Sequence, residues 1–187
     1  MTIIICPGIN NPALTEKFVT CLYDKITDGL VGNNYVNLLT VPADGILPLS
    51  GLHIFEFLRH RLKSNLDPVT FIGFSAGVVG AIAAAHLWQL QSGKVEAFIA
   101  IDGWGVPLLG DFPIYRMSHD YFTHWSSLVL GSGQYNFYAD PAVEHLQMWE
   151  NPQAVQGWLV DSKIDPPYQQ RLSAVEFLHK VILAKEL

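Results

Sequence analysis

Hydrophobic positions along the chain switch repeatedly between two periods. Residues 2–6, TIIIC, are a short, unbroken, β-branched run, the pattern of a strand buried on both faces. PGINNP breaks it. Leu14, Phe18, Leu22 and Ile26 then recur every four residues, which predicts a helix ending near Gly29. YVNLLTV (35–41) predicts a second strand, closed by PADGILP. Ser50 is a candidate N-cap for a helix turning Leu52, Phe55, Leu58 and Leu62 inward. VTFIGF (69–74) predicts a third strand, and the helix after it, 76–92, is apolar almost all round and so expected to be deeply buried. VEAFIAID (95–102), the weaker IYRMSH (114–119) and YNFYA (135–139) complete the strand pattern. Helical patterns return in NPQAVQGWLV and again from Pro167, with Leu172, Val175, Leu178 and Ile182 on one face. Strands alternating with helices predict an α/β fold: a mostly parallel central sheet of about six strands with helices on both faces, residues 1–187 forming a single domain. Ligands of such sheets bind beyond the carboxyl ends of the strands, and Ser75 stands at one of them.

Composition narrows the function classes. Half the residues are hydrophobic and 15% are charged, which excludes disorder, and 5 Trp, 7 Tyr and 10 Phe suggest an apolar cleft. Seventeen acids against 11 bases give a net charge of −6 with no basic cluster, so nucleic acid and anionic membrane are poor partners. The apolar runs are interrupted by Gly, Ser, His or Gln, so no stable membrane insertion is expected. MTIIICPG lacks the basic start and cleavage site of a signal peptide, and Cys6 and Cys21 have no disulfide or metal spacing; both point to the cytoplasm. No cofactor is expected. HDYFTH contains two histidines and an aspartate but no zinc-binding pattern, so no metal is expected either.

The chemistry concentrates in GFSAG, residues 73–77. A serine flanked at two residues' distance by glycines, at a strand-to-helix join, can sit on a turn too sharp for neighbouring side chains, exposed above the N-terminus of the following helix. The plainer alternatives are a tight turn with a helix-capping serine, or a degenerate phosphate loop. GFSAGVVG has neither the G-x-G-x-x-G order nor a Lys-Ser/Thr pair, which disfavours the second.

FIGFSAG followed by a small-residue helix resembles the α/β-hydrolase superfamily. CPGIN after the first strand is similar to that family's oxyanion loop, and VEHLQMWENPQAVQGWL resembles its closing segment, in which a histidine precedes an aromatic stretch and an Asn-Pro-x-x-Val helix start. The resemblance implies Ser75 as nucleophile, with the base and acid downstream of it. His119, His124 and His145 remain as candidates, the other four histidines lying on predicted helices. It favours His145, with Asp120 as its acid and Asp102 as the alternative; Asp140 stands behind both. If His119 or His124 is the base, the acid is Asp102 or Asp111. The oxyanion donors would be the N–H groups of Ile9 and Ala76, with Asn10 able to add an amide. The larger members carry extra strands and a helical lid. Here only the loop 103–113 stands in the lid's place, which implies a shallow cleft floored by Trp104, Leu108, Leu109 and Phe112. The implied activity is a serine hydrolase cleaving an ester or thioester of a small acyl substrate through an acyl-enzyme on Ser75. The alternative is a catalytically inactive, hydrolase-like binding protein.

Overall fold

The computed structural model describes residues 1–28, 35–62, 64, 67–161 and 168–183. In chain order its elements are β1 (Thr2–Cys6), α1 (Pro12–Asp28), β2 (Asn37–Thr40), α2 (Gly51–Arg61), β3 (Val69–Phe74), α3 (Ala76–Leu90), β4 (Val95–Ile101) and β5 (Ile114–Ser118). They continue with α4 (Tyr121–Ser127), β6 (Asn136–Ala139), the single turn α5 (Gln147–Glu150), β7 (Gln156–Asp161), β8 (Tyr168–Ser173) and α6 (Ala174–Leu183). The eight strands form one sheet in the order β2-β1-β3-β4-β5-β6-β7-β8. The first six are parallel, while β7 and β8 run antiparallel to their neighbours.

Alternation along the parallel strands builds two cores from one sheet. Ile3, Ile5, Ile72, Phe74, Ile99 and Ile101 face α1 and α6, where they meet Phe18, Leu22, Phe177 and Leu178. Ile4, Cys6, Phe71 and Phe98 face α2 and α3, against Ile54, Leu58, Val78 and Trp88. Each such large side chain contributes about 1.5–3 kcal/mol by leaving water. Because both faces are covered, these strands read as continuous apolar runs, and their sequence-based bounds agree with the structure to within two residues. Among the described residues no helix is long and apolar enough to cross a membrane.

The structure departs from the sequence pattern at four points. The sheet is mostly parallel, as expected, but has eight strands rather than about six, the last two antiparallel. NPQAVQGWLV does not begin a helix: residues 152–154 turn, and Gln156–Asp161 pair with β6 on one side and β8 on the other. The cause is that the carbonyls of Pro152 and Val155 accept from Val175 and Ala174, so the turn serves to receive the start of α6. Leu172 accordingly belongs to β8, although Val175, Leu178 and Ile182 do form the buried face of α6. In α2, Leu52 is exposed and Ile54 takes its inward place beside Phe55 and Leu58. Ser50 caps α2 as expected, its hydroxyl accepting from the His53 N–H at 3.2 Å. Gly29 and Pro167 lie outside the described residues.

One close approach sets the position of α3. A Cβ on Gly77 would stand 2.3 Å from the carbonyl oxygens of both Cys6 and Pro7, so the first turn of α3 can lie against the end of β1 only with glycine there. Gly77→Ala is expected to cost about 1–3 kcal/mol or more, read as a lower urea midpoint at unchanged m-value.

Candidate active site

Four successive parallel strands, β3 to β6, each release a polar side chain at their carboxyl end. Ser75 directly follows β3, Asp102 follows β4, His119 follows β5, and His145 lies between β6 and α5. Ser75, Asp102, His119 and His145 line one cleft of about 480 Å³, whose apolar walls are Ala76, Val79, Trp104, Val106 and Phe122. Small-molecule sites fall at roughly 300–1,000 Å³.

Ser75 is held at φ 53°, ψ −123°, a conformation that L-residues avoid. Its N–H donates to the Ile101 carbonyl at 2.9 Å, which ties the turn to the end of β4. Its hydroxyl forms no hydrogen bond among the described residues and faces the cleft. On its other side runs the loop after β1: a Cβ on Gly8 would lie 3.0 Å from the Ser75 Cβ. Ile9, next in that loop, and Ala76, at the head of α3, have N–H groups that no backbone carbonyl engages among the described residues. Both amide atoms of the Asn10 side chain are buried without a partner.

Asp102 is the second strained residue, at φ 51°, with its side chain only 1% exposed. Oδ2 accepts from His145 Nδ1 at 2.9 Å, and Oδ1 accepts from the His119 backbone N–H at 2.8 Å. His119 Nδ1 also lies 3.1 Å from Oδ1, within ion-pair range but off the line of a good hydrogen bond, and is otherwise unpartnered. Burial works against the charge on Asp102. The bonds from His119 and His145 outweigh it and hold the carboxyl below its ordinary value. The same carboxylate is the main cause that raises His119 above the usual histidine value, against its own partial burial.

The two imidazoles are placed differently. A carboxylate only accepts, so the proton of neutral His145 sits on Nδ1 and Nε2 keeps a free lone pair. His119 has Asp102 at Nδ1 and the Asp120 carboxylate 3.7 Å from Nε2, so it is held between two acids. The His145 ring stacks on Phe74 at 4.8 Å between centroids, Phe74 on Trp149 at 4.9 Å, and Trp149 on Phe18 at 3.7 Å. Trp149 Nε1–H donates to Thr15 Oγ1 at 3.1 Å, which anchors the stack in the core. The loop before His145 is fixed by Val143 N–H, which donates to the His119 carbonyl at 3.0 Å.

The carboxylate beside His145 is therefore Asp102, the alternative, and not Asp120. Asp120 is the N-cap of α4, accepting from the Thr123 N–H at 2.6 Å, which turns it from the pair. Asp140 accepts from Trp158 Nε1–H at 2.8 Å, and Asp111 is exposed outside the cleft lining. His124 is buried against Tyr138, 5.1 Å between centroids, and is absent from the cleft wall. Of the expected cleft floor only Trp104 lines the cleft. Leu108 and Phe112 are packed into the core beneath α3, and Leu109 projects outward. The loop carrying Trp104 and Val106 is held by buried Arg116, whose guanidinium donates to the carbonyls of Val106, Leu130 and Gly131 at 2.6–3.1 Å. Burial lowers that guanidinium to about 10.

No protein-family model matches this chain, and no curated protein matches it. The site stands on its geometry.

Burial, with a smaller contribution from Arg116, lowers His124 to about 4. A histidine that stays neutral when folded loses stability as the unfolded chain takes up protons, so the loss begins below about pH 6.5 and is complete near pH 4. The full effect is about 3 kcal/mol. His124→Phe is expected to remove that part of the acid loss, measured as urea stability at pH 7 against pH 4.5, without changing reactivity at Ser75.

Proposed function

We propose that this chain is a serine hydrolase of the α/β-hydrolase type that cleaves a carboxylic ester or thioester through an acyl-enzyme on Ser75. The observation that carries the reading is the pairing of a strained, cleft-facing serine with a His145–Asp102 couple on the adjoining strand ends. A positive φ at a non-glycine residue is costly, on the order of 1–3 kcal/mol, and persists where the surroundings enforce it.

In this mechanism Ser75 Oγ attacks the acyl carbonyl carbon as its proton passes to His145 Nε2. The imidazolium that forms is stabilised by the Asp102 carboxylate at Nδ1. The carbonyl oxygen becomes an oxyanion and takes hydrogen bonds from the N–H groups of Ala76 and Ile9, supported by the dipole of α3. His145 returns the proton to the departing alcohol or thiol. Water, deprotonated by the same imidazole, then cleaves the acyl-enzyme and restores the Ser75 hydroxyl.

Val79, Trp104, Val106 and Phe122 favour a neutral, apolar acyl group, and among the described residues neither Lys nor Arg lines the cleft to receive an anionic one. The unpaired cysteines, Cys6 and Cys21, support action in the cytoplasm.

Labelling by a fluorophosphonate probe, followed by intact mass, tests the reading. Wild type is expected to gain one adduct, and Ser75→Ala none. Asp102→Asn is expected to slow labelling by roughly 10⁴-fold. Asp120→Ala should label at close to the parent rate while losing about 1 kcal/mol of stability with its helix cap. Folded wild type that takes no label would contradict the proposal and favour a binding protein.

A further inference from the structure

Asp102, His119 and His145 also form a cluster that proton-relay chemistry alone does not require. One donor atom from each lies within 4.8 Å of the other two. Asp102 Oδ2 to His145 Nδ1 is 2.9 Å, and Asp102 Oδ1 to His119 Nδ1 is 3.1 Å. Donors held at ~2.0–2.2 Å from a zinc ion stand about 3.3 Å apart across a tetrahedral edge, so each imidazole already lies near that spacing from one oxygen of the carboxylate, and a modest turn of the rings would bring both onto a single ion. A separate observation concerns His119. Its Nδ1 is buried and lacks a hydrogen bond, although a carboxylate oxygen is near, because the two atoms are misaligned for a proton between them. A metal ion has no such directional demand along the N–O line, and it would give that nitrogen a partner.

We propose that Asp102, His119 and His145 form a binding site for Zn²⁺, and that the bound ion switches Ser75 off. Two imidazoles and a carboxylate are a donor set that suits zinc, which would take its fourth ligand beyond them. The binding site stands on the cluster itself, whereas its effect on Ser75 rests on the serine-hydrolase reading. The inhibition follows from the tautomer of His145. Zinc on Nδ1 requires a lone pair there, so the single proton of neutral His145 moves through solvent to Nε2. An Nε2 that carries a proton cannot accept one from Ser75. The ion also takes the Asp102 oxygen that would stabilise the imidazolium. No bond to Ser75 is made or broken, and removal of the metal reverses the change. Nothing in the sequence spacing announces the site, because its members, at residues 102, 119 and 145, follow three separate strands.

The test separates binding from inhibition. Ser75→Ala, which keeps all three ligands, is dialysed against Zn²⁺, freed of loosely held ion on a desalting column, and its metal counted by atomic absorption. One zinc per chain is expected. Adding His119→Ala or His145→Ala to that background should weaken binding by roughly 100-fold or more, with thermal melting in chelator checking that each variant is folded. His119→Gln serves if His119→Ala does not fold. In wild type, saturating Zn²⁺ should block fluorophosphonate labelling, and EDTA should restore it. A chain that holds no zinc overturns the proposal, as does zinc retained equally by both histidine variants. Labelling that proceeds unchanged, or faster, with zinc bound overturns the switch. Zinc bound through these histidines by a wild type that never labels would support the site and reject the hydrolase reading instead.

Discussion

A carboxylate buried as fully as Asp102 is stable only if donors answer it, and the arrangement of the cleft is largely that answer. Two N–H groups donate to it, the His145 ring and the His119 backbone, and the His119 ring stands 3.1 Å away. Meeting them requires β4, β5 and the segment after β6 to end at one level. Parallel pairing with Ile99 opposite Tyr115 and Met117 opposite Phe137 provides that. His145 gains its direction from the carboxylate and its plane from the stack through Phe74 and Trp149 to Phe18. The imidazole is thus oriented by one polar contact and one apolar contact, each rooted in the core rather than in a loop.

The two strained residues at the site lie on neighbouring strands. Ser75 and Asp102 both have φ near 50°, and each is secured by its own N–H, Ser75 to the Ile101 carbonyl and Asp102 to the Met117 carbonyl at 2.8–2.9 Å. Each turn is therefore fastened to the end of the next strand. The close contact of Gly77 with the end of β1 and of Gly8 with Ser75 adds the loop after β1 to the same assembly. Strain at the serine is sustained by packing on three sides.

Much of this was legible in the sequence, for definite reasons. The β-branched runs at 2–6 and 69–74 mark strands because burial on both faces leaves no room for polar alternation. Ser75 was legible because its glycines answer a steric demand. The acid was not. Asp102 and Asp120 both follow a strand, and choosing between them needs the helix that begins after Asp120, whose Thr123 N–H takes up the carboxylate. His124 stayed open in sequence as an alternative to His145, and packing against Tyr138 removes it from the cleft. Strands β7 and β8 escaped notice because their turn at Pro152 has a helix-start composition and β8 opens with the polar run Tyr168-Gln169-Gln170-Arg171 of an edge strand. The ring stack under His145 left one sign, Trp149 four residues after the histidine, which acquires meaning only once α1 is placed beneath it.

In this arrangement Asp102 holds the Nδ1 proton of His145. Proton NMR in water at neutral pH measures it directly, because an imidazole N–H bonded to a buried carboxylate is protected from exchange and shifted far downfield. One such resonance, assigned to His145, is expected, lost in Asp102→Asn and in His145→Ala but kept in Asp120→Ala. A downfield proton that survives Asp102→Asn, or that disappears with Asp120, would contradict it.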